Sequence, residues 1–263
     1  MSRRVITLTT DFGMGSPYVA EMKGVILSIC PEIVIVDISH QVAPQDVRQA
    51  ALILDQAAWR FPDGTIHICV VDPGVGTERR IVFVQLDRQS FIAPDNGVLS
   101  RLMGRGELCR ALVLTQQNLW RHPVSNTFHG RDIMAPVAAR VATGQPPERL
   151  GPATDRLVML DWPEPEVRGA EIDGQVLTVD SFGNLITNIG HDLVDRLGSS
   201  ATICVRCAGH TIRGVVGTYG QRDPGTLVAL IGSSGLLEMA VVQGHAAQRL
   251  RVEAGAAVTV SCV

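Results

Sequence analysis

Asp72-Pro-Gly-Val-Gly-Thr-Glu-Arg79 sets a carboxylate, two glycines and a guanidinium side by side, directly after the apolar, β-branched run Ile66 to Val71. The run reads as a buried strand. In a parallel sheet, the loop just beyond a strand's carboxyl end is where ligands bind. Glycines there permit close backbone approach, and the acid and the guanidinium offer charge and directed hydrogen bonds, so the stretch reads as a site for a polar ligand. The competing reading is a strand, a tight turn and a solvated Arg79-Arg80 pair. A second concentration of such residues is Ser125-Asn-Thr-Phe-His129-Gly-Arg-Asp132. It precedes an expected helix, and a helix amino end favours anions and polar groups.

The elements around these stretches alternate. Val5 to Thr10 is a strand ending at Asp11, and Ser16 with Pro17 opens a helix running from Tyr18 to Cys30. Glu32 to Val36 forms a second strand ending at Asp37, and a helix over 46–59 leads to the central strand ending at Asp72. This order predicts an α/β layer with a mostly parallel sheet. Three strands ending in aspartates would bring Asp11, Asp37 and Asp72 to one sheet edge. A hairpin (81–86 and 90–92), a helix from Val98, a strand at 111–114 and a helix over 133–143 follow.

The texture changes near residue 160. Asp161-Trp-Pro-Glu-Pro-Glu is proline-rich, acidic and aperiodic, and residues 161–173 read as a linker. Short β-like runs at 174–179, 201–207, 211–216, 227–231 and 257–260 then predict a small all-β barrel. The expected organisation is an α/β domain over 1–160, the linker, and a β-barrel domain over 174–263.

Composition narrows the function. Of 263 residues, 46% are hydrophobic and 19% charged, as in an ordinary globular protein. A net charge of −3 and 4% aromatics give no reason to expect nucleic acid or an anionic membrane as partner. The basic start passes straight into a strand-like run rather than an export signal, and no apolar stretch approaches a membrane span, so a cytoplasmic location is expected. Cys204-Val-Arg-Cys207 has no second cysteine pair at zinc-site spacing, which leaves the scattered cysteines as small buried hydrophobes.

Six segments occur in order: Thr10-Asp-Phe-Gly13, Val71-Asp-Pro-Gly-Val-Gly-Thr-Glu-Arg79, Ala93-Pro-Asp-Asn-Gly97, Phe128-His-Gly-Arg-Asp132, Asp180-Ser-Phe-Gly-Asn-Leu-Ile-Thr-Asn188 and Ile231-Gly-Ser-Ser-Gly-Leu-Leu-Glu238. Together they closely resemble the S-adenosyl-L-methionine (SAM) hydroxide adenosyltransferases, the adenosine-forming SAM hydrolases, a family related in fold to the SAM-dependent fluorinase and chlorinase. The resemblance spans nearly the whole chain. It implies a trimer with SAM bound between one subunit's amino-terminal domain and its neighbour's barrel, and no cofactor beyond the substrate. The family's catalytic set falls on Asp72, Arg79 and His129, and its ribose-binding acid on Asp11. Asp180 and Ser233 match positions near the methionine end, while Phe182, Asn184 and Glu238 line the site. Tyr219 and Val241 match the adenine side.

The implied reaction is attack of water, as hydroxide, on the ribose C5′. The leaving group is a neutral thioether, so the chemistry asks for an activated, in-line water and no general acid. Asp72 and His129 can orient or deprotonate that water while Arg79 stabilises hydroxide. A halogenase would need a halide at that place, which the Asp72 carboxylate would repel, and Gln45 stands where an aromatic beside a halide is expected. A metallohydrolase on Asp11, Asp37, His40, Asp72 and His129 would set Arg79 against its cation. A non-catalytic SAM or adenosine sensor would keep the pocket without the turnover. The other histidines read as ordinary structural residues.

Overall fold

The computed structural model describes residues 4–262. Residues 1–3, part of the basic start read above, and Val263, the end of the expected second domain, lie outside the described residues. The chain divides into two compact units at Leu160/Asp161.

In the first unit β1 (Val5–Thr10), α1 (Tyr18–Ile29), β2 (Val34–Ser39), α2 (Val47–Ala58) and β3 (Ile66–Val70) alternate as the hydrophobic pattern predicts. β4 (Ile81–Leu86), β5 (Gln89–Pro94), α3 (Ser100–Met103) and β6 (Leu108–Val113) follow, and α4 (Ala135–Ala142) closes the series. The sheet order is β2-β1-β3-β5-β4-β6. The first four of these strands are mutually parallel. β4 runs antiparallel to both neighbours, because only two residues, Asp87 and Arg88, connect it to β5 and so short a link can join only a hairpin. The sheet is therefore mixed, parallel across the half that carries the expected site.

Alternation along the strands puts Ile6, Leu8, Ile68 and Val70 on one face, where they form a core with Met22 and Ile26 of α1 and Met134, Val137 and Ala138 near α4. Thr7 and His67 alternate to the other face. There the His67 ring stacks on Phe91 (centroids 4.9 Å apart) and its Nδ1 meets Thr7 Oγ1 at 2.7 Å.

Three local expectations change. Ser16 does not cap α1; its hydroxyl donates to Phe12 O at 2.9 Å, and Pro17 takes the cap position. Asp37 lies inside β2 rather than at its end. The helix expected over 133–143 begins earlier, as a π-turn over Gly130–Met134 that runs into α4.

The second unit is a curled sheet of β7 (Glu166–Arg168), β8 (Glu171–Val179), β9 (Leu185–Gly190), β10 (Ile203–Cys207), β11 (His210–Arg213), β12 (Val215–Val216), β13 (Leu227–Ile231), β14 (Leu236–Val241) and β15 (Ala257–Cys262), with helices α5 (His191–Leu197) and α6 (Ala246–Leu250). Its path is β11-β10-β15-β8-β9-β14-β13-β12, with β7 paired to β8. β11 packs back against β13, so the sheet is barrel-like and nearly closed, with no ladder joining β11 to β12 among the described residues. The inner face is apolar: Ile172, Val176, Leu185, Val205, Leu237, Met239 and Val260. The segment 161–173 is less of a linker than its composition suggests, since β7 and the first residues of β8 form a hairpin within it. Among the described residues no helix is long and apolar enough to cross a membrane.

Burial holds the His67 imidazole down at about 4, so it stays neutral in the fold. Between pH 6.5 and 4 the unfolded chain binds a proton there that the native state does not, so stability falls as pH falls. The full window is worth roughly 3 kcal/mol. Urea midpoints measured from pH 7 to 4 should show this slope, and His67→Gln should flatten it.

Candidate active site

The loop after β3 is built from short turns. Val75 N–H donates to Asp72 O, and Thr77 N–H and Oγ1 both donate to Gly74 O. These turns fold Arg79 back over Asp72. A Cβ on Gly74 would stand 3.0 Å from Arg79 Cγ, so the glycine leaves room for the arginine's close approach. Arg79 Nε donates to both Asp72 oxygens at 2.9 Å, and Nη2 adds a third, shorter bond to Oδ2. The pair is largely dry, with side-chain exposures of 12% for Arg79 and 5% for Asp72. Arg80, next in sequence, turns the other way to Asp95, Thr154 and the carbonyl of Arg156. The solvated arginine pair of the competing sequence reading is thus two paired side chains with separate partners, Arg79 largely dry and Arg80 partly exposed.

Arg79 also reaches His129, its Nη2 lying 2.8 Å from His129 Nδ1. A guanidinium only donates, so Nδ1 must accept and the imidazole carries its proton on Nε2. Burial, and then the Arg79 charge, hold the His129 pKa below its ordinary value. The three residues the family resemblance selects therefore stand in one hydrogen-bonded set.

Several features hold His129 there. Phe12, Tyr18 and Phe128 meet edge to face, with centroids 5.3 to 5.6 Å apart, which ties the turn after β1 and the start of α1 to the residue before His129. Arg131 lies over the Phe128 ring at 4.9 Å. Asp132, fully buried, accepts from Arg131, from Arg121 and from Ser125 N–H, which pins the loop on both sides of the histidine. Those bonds hold its carboxyl below the usual range against the opposing pull of burial. Asn96 Nδ2 donates to Val71 O and so braces the strand end beneath Asp72. Gly76, at φ +79°, meets the His129 loop closely: a Cβ there would stand 2.3 Å from Asn126 O.

Asp11 sits at the end of the neighbouring parallel strand, where its Oδ2 accepts from Gln45 N–H at 2.8 Å. Asp37 does not join the carboxylates. It faces Lys23 Nζ at 2.6 Å and His40 Nε2 at 3.1 Å, and those contacts lower its pKa against the opposing effect of burial. The converging trio is thus a pair, Asp11 and Asp72, flanking β1 and β3. Among the described residues no three His, Cys, Asp or Glu side chains are grouped so as to hold a metal ion.

In the second unit, Asp180 organises the Asp180–Asn184 turn. Its Oδ1 accepts from Phe182 N–H and Asn184 N–H, and its Oδ2 from Asn184 Nδ2. Phe182 is left 75% exposed at the tip. Glu238, buried on β14, accepts from the Tyr219 hydroxyl. Burial raises its pKa, and the nearby charge of Asp180 adds to the rise. Tyr219 is raised for the same reasons, with Glu238 contributing. Ser233 is exposed in the β13–β14 turn, and Val241 closes β14 with its side chain buried. Asp180, Asn184, Tyr219 and Glu238 thus form one polar cluster. Phe182 and Ser233 mark its exposed loops, and Val241 lies further along β14 from Glu238.

A strand-end carboxylate locked to an arginine and a histidine, followed by a curled β unit with an acidic cluster, has a counterpart among known proteins. The chain belongs to the SAM hydroxide adenosyltransferase family: residues 6–151 match its N-terminal domain and residues 174–259 its C-terminal domain. It is similar to the (R)-S-adenosyl-L-methionine hydrolase of Salinispora tropica, 39% identical over 254 residues and 95% of each chain. The protein of the same name in Thermus thermophilus is 38% identical, over 96% of this chain and 97% of its own. A crystal structure of an uncharacterized conserved protein from Thermotoga maritima superposes with a TM-score of 0.93 at 37% identity, covering 97% of this chain and 99% of that one. A fluorinase of Nocardia brasiliensis is more distant, at 28% identity over 98% of this chain and 97% of its own.

Gly76→Ala would force a Cβ into a left-handed residue and against the Asn126 carbonyl. Thermal melting should show a loss of at least about 1–2 kcal/mol, with the His129 loop displaced from Arg79.

Proposed function

We propose that the protein hydrolyses S-adenosyl-L-methionine to adenosine and L-methionine. The observation that carries this reading is the Asp72–Arg79–His129 set, in a chain whose full-length relatives are named for that hydrolysis. A water oxygen attacks the ribose C5′ opposite sulfur, the C5′–O bond forms, and the C5′–S bond breaks with its electron pair retained by methionine. The sulfonium charge is lost with the leaving group and one proton leaves the water. Arg79 and the Nε2–H of neutral His129 bind the oxygen as it gains negative charge. Asp72 is the anion of the set, and with His129 Nδ1 already accepting from Arg79, the proton passes to Asp72.

Asp11 suits the ribose diol, because a carboxylate can accept from two adjacent hydroxyls at once. The family resemblance assigns Asp180 and Ser233 to the methionine end, Phe182, Asn184 and Glu238 to the lining, and Tyr219 and Val241 to adenine. The exposed Phe182 ring suits a surface that another subunit covers. The reading therefore includes a homotrimer, a cytoplasmic location and no metal or cofactor, since a neutral thioether leaves without a Lewis acid. Light scattering should give three times the 28.3 kDa chain mass.

Purified protein incubated with SAM should release adenosine and methionine in equal amounts, unaffected by EDTA. Asp72→Ala and His129→Ala should each lower kcat by roughly 10²–10³-fold. A 5′-halo-adenosine formed only with added halide would move the protein to the fluorinase branch, and binding without turnover would make it a sensor. S-Adenosylhomocysteine should bind and turn over far more slowly, since its neutral sulfur must leave as a thiolate.

The depressed His129 pKa sets the acid limb. Below it the imidazolium puts an N–H on Nδ1, facing the Arg79 donors, and the set opens. kcat/KM should therefore fall as pH falls, with an apparent midpoint below the ordinary histidine value of about 6.5, and the His129→Gln profile should lack that limb.

A further inference from the structure

Asp11 is held from two directions, through His40 and through Gln45, which no sequence motif connects with it. The first clamp acts on its turn. Gly13 N–H donates to His40 O at 2.8 Å, Phe12 N–H donates to Thr10 Oγ1, and that hydroxyl meets His40 Nδ1 at 2.9 Å. His40 is only 5% exposed. The second clamp acts on the carboxylate itself, through the Gln45 N–H bond to Oδ2 at 2.8 Å.

Gln45 makes that bond from a left-handed backbone, at φ +65°. A residue with a Cβ adopts this conformation at a cost, and keeps it only where the surroundings over-determine it. Here the amino end of α2 does so. Asp46 caps the helix by accepting Gln49 N–H at 2.9 Å, while Gln49 Oε1 reaches back to accept Ala43 N–H at 2.6 Å. Asp46 N–H donates to Ala43 O and Val47 N–H to Gln45 O, both at 3.0 Å. The loop is thus a reciprocal cap extended by three residues, with Gln45 as the residue turned outward from it.

We infer that Gln45 is a positioning residue whose left-handed backbone aims its N–H at Asp11 and fixes the rotation of the carboxylate that receives the ribose. The inference rests on the assignment of Asp11 to the ribose made above. A carboxylate offers about four lone-pair directions, so one backbone bond sets its plane without exhausting it. The Gln45 side chain takes no part in this, and the backbone conformation takes all of it. Substitutions should therefore rank by what they do to φ and to the N–H, and chemical similarity to glutamine should not matter.

The test is a series at this position, read by SAM kinetics and by calorimetric binding of adenosine, with thermal melting as a check on folding. Gln45→Gly keeps the N–H and relieves the strain, so KM and the adenosine Kd should stay within about twofold of wild type, and Tm should not fall. Gln45→Val keeps the N–H but resists positive φ, and Gln45→Pro abolishes both. Their KM and Kd should rise, by about tenfold in the proline variant, as for a lost hydrogen bond to a charged group. kcat should change less than KM, because the oxygen nucleophile is held by another set. If proline prevents folding, valine against glycine still decides.

Folded valine and proline variants with wild-type KM and Kd, alongside an Asp11→Ala that raises both, would overturn the positioning role and leave the ribose assignment standing. An Asp11→Ala without effect on either would remove the ribose assignment and this inference together. Should the wild type bind adenosine without turning SAM over, the hydrolase reading fails, and the order of adenosine Kd values across the series still decides the role of Gln45.

Discussion

Arg79 is the interaction on which the rest of the first unit depends. Its guanidinium offers donors in a rigid fork, and the fork is shared between a carboxylate seven residues away and an imidazole fifty residues away. The first partner neutralises its charge in a largely dry place, where either ion alone would be costly to bury. The second partner has its tautomer dictated by the bond. A lysine could supply the charge but neither the bidentate geometry nor the simultaneous reach to a ring nitrogen. One side chain thereby compensates the carboxylate's charge and decides which ring nitrogen of His129 carries the proton.

The surrounding structure keeps that fork from wandering. The aromatic triangle, the buried Asp132 with its arginines, and the Asn96 brace act on the segments just before or after Asp72 and His129. The π-turn at Gly130–Met134 belongs to the same arrangement, since such turns occur often at functional sites and this one follows His129 directly. Support of this kind comes from packed side chains and strand ends. The geometry of the Asp72–Arg79–His129 set is therefore as rigid as the core beneath it.

The parallel half of the sheet was legible in the sequence because two strand–loop transitions, at Asp11 and Asp72, carried unmixed signals, a β-branched run and then an acid. The Asp72–Arg79–His129 set was legible for a different reason, its match to family motifs. Spacing alone left Asp72-to-Arg79 balanced against an ordinary turn. Asp37 misled because its run continues past it: Ile38 and Ser39 remain in β2, and the carboxylate is spent on Lys23 and His40. β9 and β14 were obscured by polar residues within them, Thr187 and Glu238, which are buried with partners of their own. Gln45 stood out only as the residue in place of an aromatic beside a halide, and nothing in the sequence connected it with Asp11. Its contribution is a backbone torsion, and a torsion held by a neighbouring helix cap has no residue type of its own.

Adjacent arginines in this chain serve opposite masters. Arg79 faces the acid and the imidazole, while Arg80 faces Asp95 and the carbonyl of Arg156 at the base of the same loop. The turn from Asp72 to Arg79 therefore works as a ruler. Losing one residue would bring Arg80 and Ile81 to the places of Arg79 and Arg80, and gaining one would bring Glu78 and Arg79 there, even with every residue type retained. Evolution can vary the composition of such a loop far more freely than its length, so drift in this region should be written in substitutions and not in insertions or deletions.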